Sequence, residues 1–228
     1  VTGASGFIGQ HLVKELLHTG YHVTLLAHKN APIHANHEHV SLIKGDLLDD
    51  IDIGHPDVIF HLGAIPNVKL CAENPQQAIK VNIQGTQRLL EKAKQNVKKF
   101  VYMSTAAVYG APKTLPIPEE HPTKPQEPYA ITKLAAEHFV SFYAHSFGID
   151  HLTIRLFNCY GEGQSHDFVI PSLIKQVLSQ KTIELQNHAH TRDYIHVSDV
   201  VSAILFLLEN RQSGIYNVGT GIETSTQE

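Results

Sequence analysis

The sequence contains few cysteines, no long apolar run and no large excess of charge of either sign. Cys71 and Cys159 are its only cysteines, which excludes a dense disulfide framework and predicts a reducing, cytoplasmic compartment. No apolar stretch approaches the roughly 20 residues that a membrane-spanning helix needs. The formal net charge of -4 gives no electrostatic basis for binding nucleic acid or a membrane surface. With 42% hydrophobic residues among 228, the chain has the composition of a globular protein with a substantial core.

Histidine is abundant, and two clusters of it raise the question of a metal site. The clusters are His34, His37 and His39, and then His188 and His190. Both lie in polar stretches, without accompanying cysteines and without a helical His-Glu-x-x-His pattern. We therefore predict solvated surface histidines and no bound metal.

Short apolar segments alternate with longer amphipathic ones along most of the chain. The pattern predicts strands over 21–27, 57–62, 99–104 and 151–156. It predicts helices over 7–18, 76–96, 128–147, 169–180 and 198–209, the last with Ser198 as its N-cap. Gly20 and Gly148 stand where left-handed helix caps are expected, and the proline-rich segment 111–128 is predicted to be irregular. Such alternation is typical of an α/β fold, a doubly wound parallel sheet with helices on both faces.

The βα rhythm changes after Gly161, which suggests a second, smaller lobe. We predict that residues 1–161 form the main dinucleotide-binding domain and that 162–192 are an excursion into the lobe. Residues 193–220 would return to the main domain, and 221–228 would begin a C-terminal part of the lobe that continues beyond Glu228. The opening at Val1-Thr2-Gly3 lies inside a glycine loop, so we expect a strand to precede it.

Three glycines open the first predicted helix. Gly3, Gly6 and Gly9 have the spacing G-x-x-G-x-x-G, and the following strand 21–27 completes the context of a nucleotide site. Glycine permits the tight turn and lets a pyrophosphate approach the amides of the helix N-terminus. Close packing of the helix on a strand would also explain the triplet.

The adenosine end of the predicted site carries no carboxylate at the end of strand 21–27. Ala27, His28 and Lys29 occupy this place, where an acid usually holds the ribose of NAD. Two potential cations favour the 2′-phosphate of NADP, although exposed loop residues would give the same sequence. Asp46 in GDLLD could bind an adenine amino group or could cap the turn that follows.

Tyr129 and Lys133 stand four residues apart on the helix predicted over 128–147. They would share a helix face, where the ammonium and the helix dipole would lower the pKa of the tyrosine. Thr105 follows the strand 99–104, at the sheet edge where ligands bind in open α/β folds. A surface tyrosine and a solvated lysine on an ordinary helix would have the same spacing.

Nine segments together resemble one protein family. In order they are TGASGFIG, GDLLD, HLGA, VNIQGT, STAAVYG, YAITK, RLFNCYGEGQ, RDYIHVSDVV and YNVGTG. The chain resembles the extended branch of the short-chain dehydrogenase/reductase family, of the NAD-dependent epimerase/dehydratase type, and is most similar to nucleotide-sugar epimerases and their relatives. The resemblance implies a Rossmann fold with a smaller substrate lobe, of which this chain holds a part.

The resemblance implies roles for individual residues. Tyr129 would be the acid-base residue, Lys133 its partner and ribose anchor, and Thr105 the hydroxyl that orients the sugar. The predicted cofactor-binding residues are Gly3, Gly6, Phe7, Ile8, Gly9, His28, Lys29, Asp46, Leu47, Leu62, Gly63, Ala64, Asn82, Ser104, Tyr129 and Lys133. The predicted nucleotide-sugar contacts are Thr105, Asn158, Val169 and Arg192. The Arg192 guanidinium suits a diphosphate, although an ion pair with Asp193 or Asp199 would also account for it.

We therefore predict an enzyme that oxidises and re-reduces a sugar hydroxyl with bound NAD or NADP, as a nucleotide-sugar epimerase. Related dehydratases carry an acidic pair after the residue that matches Thr105, whereas this chain has Ala106 and Ala107, which disfavours a 4,6-dehydratase. An NADPH-dependent 4-keto-sugar reductase is the nearest alternative, and a catalytically silent NAD(P)-sensing scaffold on the same fold is a second. A homodimer formed through helices 76–96 and 128–147 is also expected from the resemblance.

Overall fold

The computed structural model describes residues 1–28, 32–179, 183 and 191–225. Its strands are β1 (Val23–Ala27), β2 (Val40–Lys44), β3 (Val58–His61), β4 (Lys99–Thr105), β5 (Asp150–Leu156), β6 (Asn158–Tyr160), β7 (Thr191–Arg192), β8 (Tyr194–His196), β9 (Gly214–Val218) and β10 (Thr224–Ser225). Its α-helices are α1 (Phe7–His18), α2 (Val68–Glu73), α3 (Pro75–Ala78), α4 (Thr86–Ala93), α5 (Pro128–Phe147), α6 (Val169–Leu178) and α7 (Val197–Glu209). A π-helix spans Ile79–Gly85 and a 3₁₀ turn spans Ala106–Tyr109.

The principal sheet is parallel throughout. Strands β3, β4, β5 and β9 pair in that order, and β1 pairs with β2. Thr2 forms parallel bridges to Leu26 and to His61, so it joins the two groups in the order β2-β1-Thr2-β3-β4-β5-β9. The predicted doubly wound parallel sheet is confirmed, with connecting helices on both faces.

Two buried clusters cover the two faces of this sheet. One contains residues of α1, α7 and the central strands, and the other contains residues of α4, α5 and the opposite face of β3 and β4. Successive residues of β4 divide between them: Val101 and Met103 belong to the first, whereas Phe100 and Tyr102 belong to the second. Strand alternation therefore directs the Tyr102 ring toward α5.

Several sequence predictions differ from the structure in their details. The helix predicted over 76–96 is divided among α3, the π-helix and α4, and the helix predicted over 169–180 ends at Leu178. The N-cap of α7 is His196, whose Nδ1 accepts from the Ser198 amide at 3.3 Å, so the choice of Ser198 was wrong. The sequence did not predict helix α2 or strands β2, β6, β7, β8, β9 and β10.

The helix caps and the irregular segment were predicted correctly. Gly148 has the left-handed conformation at the end of α5, Gly20 has φ of 85° just beyond α1, and 111–127 contains neither helix nor strand. In the described part of the chain, no helix combines the length and apolar character required to cross a membrane. No group of three or more His, Cys, Asp or Glu residues among these same positions could hold a metal ion, while His188 and His190 lie outside them.

Candidate active site

The glycine turn fits a dinucleotide pyrophosphate. Gly3 has φ of 71°, and a Cβ there would lie 2.7 Å from the Gly63 amide nitrogen. A Cβ on Gly9 would lie 2.2 Å from the Gly3 carbonyl oxygen, so the turn packs tightly on both α1 and the loop after β3. No side chain among the described residues caps the N-terminus of α1. A phosphate could therefore accept hydrogen bonds from the first backbone amides of this helix, at Phe7, Ile8 and Gly9.

The loop Leu62–Ala64 is held against this turn by a buried histidine. His61 Nδ1 lies 2.7 Å from the Thr2 hydroxyl, and its Nε2 lies 2.8 Å from the Thr86 hydroxyl. Thr86 donates to the Asn82 carbonyl at 2.7 Å, so it must accept from His61, which places the imidazole proton on Nε2. Burial lowers the pKa of His61 to about 3, in agreement with a neutral ring.

Asn82 links the same loop to the helix that carries Tyr129. It lies in the π-helix, accepts from the Ile65 amide at 2.8 Å and donates to the Thr132 hydroxyl at 3.0 Å. Thr132 in turn donates to the Tyr129 carbonyl at 2.8 Å. Wide π-turns often mark functional sites. Here the turn buries the side-chain amide of Asn82, which links the loop after β3 to α5.

Helix α5 begins where the sequence predicts and presents Tyr129 in its first turn. Pro128 is its first residue, and the Glu127 carboxylate accepts from the backbone amides of Tyr129 and Ala130 at 2.9 and 3.0 Å. Glu127 was not among the predicted residues, since glutamate is not a common N-cap. The Thr105 hydroxyl, at the carboxyl end of β4, lies near enough to the Tyr129 side chain to lower the pKa of its phenol.

The predicted fall in the pKa of Tyr129 was wrong for the ligand-free protein. Removal from water raises the pKa of Tyr129 to about 12, and the charges of Glu127 and Cys71 act in the same direction. The nearby Thr105 hydroxyl lowers the pKa, but by less than burial raises it. The free protein therefore keeps its phenol protonated at neutral pH.

Lys133 is buried one turn further along α5, with only 3% of its surface exposed. Its Nζ lies 4.3 Å from the centre of the Tyr102 ring, a cation–π contact. Burial lowers the pKa of Lys133 to about 7, against the opposing charge of Glu137. The amine is therefore close to half protonated at neutral pH, which weakens its influence on the tyrosine.

Ser104 and its partners form a second buried group next to this pair. The Ser104 hydroxyl donates to the Glu137 carboxylate, which also forms an ion pair with Arg155 at 2.8 Å. Because the Ser104 hydroxyl already donates to Glu137 in the protein interior, only the Ser104 backbone could contact a cofactor. Glu137 and Arg155 were not predicted as site residues, although Glu137 continues the four-residue spacing of Tyr129 and Lys133.

At the adenosine end of the site, Asp46 caps the turn that follows it, which is one of the two roles that the sequence predicts. Its Oδ1 accepts from the Leu48 amide at 2.9 Å, and its Oδ2 lies 3.3 Å from His28 Nε2. Asp46 therefore caps its own turn, and His28 already has an anionic neighbour. Leu47 packs against Gly63 and Gly85, where a Cβ would approach its side chain to 3.1 Å. Lys29 lies outside the described residues.

The predicted substrate residues are exposed on the connections that follow β5. Asn158 is tied through its amide to the Asp193 carbonyl at 3.0 Å, and Val169, which begins α6, is 48% exposed. Arg192 donates to the Thr191 carbonyl at 2.7 Å. In the described ranges it forms no ion pair with Asp193 or Asp199, because the Asp193 carboxylate accepts from Thr220 and Gly221 instead.

The family model for the NAD-dependent epimerase/dehydratase family matches residues 1–219. The chain belongs to this family. Its fold is accordingly close to those of solved family members. A UDP-N-acetylglucosamine 4-epimerase from Methanobrevibacter ruminantium, in complex with UDP-N-acetylmuramic acid, superposes with a TM-score of 0.92 at 29% identity, covering 99% of this chain and 77% of that one.

Other members of the epimerase/dehydratase family match the chain equally broadly. A UDP-glucuronic acid 4-epimerase from Bacillus cereus, solved with UDP-glucuronic acid and NAD, has a TM-score of 0.87 and 31% identity over 99% of this chain and 78% of its own. A UDP-glucose 4-epimerase from Mycolicibacterium smegmatis is 36% identical over 248 residues, covering 100% of this chain and 79% of the relative. The Rossmann fold and family predicted from the nine segments are confirmed.

Proposed function

We propose that the protein epimerises the sugar of a nucleotide-sugar, by transient oxidation and re-reduction of its C4 hydroxyl with bound NAD. The observation that carries the proposal is that the Thr105 hydroxyl, at the carboxyl end of β4, lies near the Tyr129 side chain in the first turn of α5, with a buried Lys133 one turn further on. The uncapped first turn of α1 lies at the same edge and can hold the pyrophosphate. The likeness to solved 4-epimerases supports the choice of reaction.

Proton transfer in this reaction would fall to Tyr129. When bound, oxidised NAD would accept a hydride from the sugar carbon and supply a positive ring that favours the phenolate. Tyr129 Oη would take the proton of the sugar hydroxyl in the oxidation and return it in the reduction. Thr105 would orient that hydroxyl, and the Lys133 ammonium would stabilise the phenolate. Because burial alone raises the pKa of Tyr129 to about 12, this added positive charge is required for the tyrosine to act near neutral pH.

The residues after Thr105 support an epimerase or a reductase rather than a dehydratase. Ala106 and Ala107 form the start of the 3₁₀ turn, and the Ala107 amide donates to the Thr105 hydroxyl at 3.2 Å. Neither methyl side chain can transfer a proton, so elimination of water across the sugar ring has no acid or base here.

For the substrate, we propose that Arg192 binds the diphosphate and that Asn158 and Val169 line the sugar and nucleotide. Arg192 uses a single described hydrogen bond, to the Thr191 carbonyl, which leaves donors for phosphate oxygens. Its exposure on a short strand beside β10 suits a charged ligand that enters from solvent.

For the cofactor, we propose NAD rather than NADP. The contact between His28 and Asp46 places a carboxylate beside the only described side chain that could meet a 2′-phosphate on this loop. A 2′-phosphate would face that negative charge, whereas a free ribose hydroxyl could donate to it. Mass spectrometry of the nucleotide released from the purified protein would count its phosphates.

The decisive experiment is to incubate the protein with UDP-glucose, UDP-glucuronic acid and UDP-N-acetylglucosamine, each with and without NADPH, and to resolve the products. An epimerase yields the 4-epimer without added reductant. Stoichiometric consumption of NADPH would identify a reductase, and firm cofactor binding without any turnover would identify a silent scaffold.

Tyr129→Phe is the matched control for this assay. It removes only the hydroxyl, so it should abolish turnover and leave cofactor binding nearly intact. Comparable turnover by this variant would reject the assignment of Tyr129.

We also propose that the chain forms a homodimer, through the outer face of α5 as the sequence predicts and through α2 in place of the predicted helix 76–96. Ile131, Phe139 and Phe142 form an exposed apolar stripe along α5, and Val68 and Leu70 are exposed on α2, which packs beside it. A second copy related by a twofold axis would cover identical stripes with each other. Sedimentation of Phe142→Glu should give monomers where the natural sequence gives dimers, and an unchanged dimer would reject this interface.

A further inference from the structure

A buried ion pair lies next to the Tyr129–Lys133 pair, and the proposed chemistry does not use it. Arg155 Nη2 lies 2.8 Å from Glu137 Oε2, and Arg155 Nε lies 3.2 and 3.3 Å from the two carboxylate oxygens. Each residue is only 5% exposed. Apolar residues of similar volume often give as much stability as a buried ion pair, so stability alone does not explain these two charges.

The helix places the carboxylate of this pair on the face that carries the proposed catalytic residues. Tyr129, Lys133 and Glu137 follow one another at intervals of four residues on α5, so they lie along one stripe. The charge of Glu137 acts on the Lys133 amine and favours its protonated form. Within the described ranges, however, Lys133 makes no ion pair within 4.0 Å.

The carboxylate is kept from direct contact because its oxygens are already engaged. Ser104 Oγ donates to Oε1, while Arg155 donates to both oxygens. The Lys133 ammonium is left against the Tyr102 ring, one turn from Tyr129, instead of being drawn into a salt bridge with Glu137.

Arg155 is itself held in place by Tyr109, from the segment STAAVYG, and by the Glu119 backbone. Its Nη1 donates to the Tyr109 hydroxyl at 2.9 Å and to the Glu119 carbonyl at 3.0 Å. Tyr109 donates to Asn217 Oδ1 at 2.7 Å. Segments STAAVYG, RLFNCYGEGQ and YNVGTG thus each contribute a side chain to one buried network that ends at Glu137.

We infer that Glu137 and Arg155 are positioning residues for Lys133: Glu137 provides the counter-charge of its ammonium, and Arg155 holds that carboxylate out of direct contact. The remaining titratable groups that face Lys133 are Tyr129 on α5, Tyr102 on β4 and His61 on β3. The consequence for turnover rests on the proposed function, whereas the electrostatic relation does not.

Substitution of Glu137 and substitution of Arg155 should shift the pH at which Lys133 deprotonates in opposite directions. If the ion pair served only to stabilise the fold, neither substitution should shift that pH. In Glu137→Gln the amide oxygen can still accept from Arg155 and the amide nitrogen can donate to the Ser104 hydroxyl, but the ammonium loses its counter-charge and should deprotonate about one pH unit lower. In Arg155→Met the carboxylate is released onto Lys133, which should then deprotonate at higher pH. Arg155→Lys keeps the charge and should restore most of the natural titration.

The measurement is the carbon-13 shift of lysine Cε against pH in the full chain labelled on lysine, with Lys133→Met identifying the resonance and circular dichroism following the fold. An unchanged titration in Glu137→Gln, or shifts of the same sign in Glu137→Gln and Arg155→Met, would overturn the inference. If Glu137→Gln does not fold, Glu137→Met/Arg155→Met replaces both charges by apolar groups and should show the same downward shift.

Turnover provides the second readout. The alkaline limb of kcat/KM should move with the Lys133 titration in each variant, and Arg155→Lys should recover it. If neither the natural sequence nor any variant turns over a nucleotide-sugar, the proposed function fails, and the carbon-13 titration still decides the roles of Glu137 and Arg155.

Discussion

Replacement of Lys133 by methionine should stabilise the ligand-free protein while it removes turnover. The amine is buried, and burial lowers its pKa from 10.5 to about 7. In the unfolded chain the same amine is fully solvated and retains its proton to a much higher pH. Methionine fills a similar volume without a charge, so the variant removes an unfavourable ionisation from the folded state.

The magnitude follows from the difference in pKa between the two states. A fall of about 3.5, from 10.5 to about 7, corresponds to about 5 kcal/mol at 1.36 kcal/mol for each unit of pKa. Below pH 7 the Lys133 amine is protonated in both the folded and the unfolded state. The folded state is then destabilised by the full free energy of burying a charged ammonium. Between about pH 7 and pH 10 the unfolded state holds the extra proton, so the free energy of unfolding of the natural sequence rises by about 1.4 kcal/mol for each pH unit relative to the variant. Below about pH 7, where the amine is protonated, loss of the cation–π contact with Tyr102 would subtract about 1 kcal/mol from this benefit.

The assay is urea denaturation of both proteins, without cofactor, at several values between pH 6 and pH 10. The stability difference should be largest at pH 6 and should nearly disappear by pH 10. Lys69→Met is the matched control, since that lysine lies exposed on α2, and its effect should not vary in this way. A difference between Lys133→Met and the natural sequence that stays constant with pH would refute the argument.

Three further predictions concern other parts of the site. Gly9→Ala should destabilise the fold by about 2 kcal/mol or more in urea denaturation and should abolish NAD binding in a fluorescence titration, because its Cβ would lie 2.2 Å from the Gly3 carbonyl. Glu127→Asn keeps a helix cap but removes a charge that raises the pKa of Tyr129, so the acidic limb of kcat/KM should move to lower pH; an unmoved limb would contradict this. Arg192→Ala should raise KM for the nucleotide-sugar about tenfold, equivalent to a charge-assisted hydrogen bond of about 1.5 kcal/mol, with kcat nearly unchanged in steady-state assays.

The parts of the fold that depend on local sequence could be predicted. Helix α5 begins at Pro128 and ends before Gly148, because fixed φ at the start and a left-handed glycine at the end are local properties. The same holds for α1 after its glycine turn. Thr105 could be placed beside Tyr129 because parallel strands end at one sheet edge.

The parts that depend on distant residues could not be predicted. The pKa of Tyr129 follows from burial, which a four-residue spacing does not reveal. The Tyr102 ring comes from β4, and Arg155 comes from β5, so neither contact with the Lys133 group is visible along α5. The π-turn around Asn82 adds one residue to a continuous helical pattern, and its final residue, Gly85, runs directly into α4 without a break that would mark the turn. β2 is short and mostly exposed, so its apolar pattern is weak.

The alternation of side chains along β4 has a consequence for how the site comes into being during folding. A slip of one residue between β4 and β5 would exchange Tyr102 for Val101 or Met103 below the amine and would turn the Ser104 hydroxyl toward the opposite face. No misaligned sheet could therefore present the tyrosine, the lysine and their buried partners together. Catalytic activity would thus require the correct pairing of these strands, and chains in which they are unpaired or misaligned would not turn over substrate.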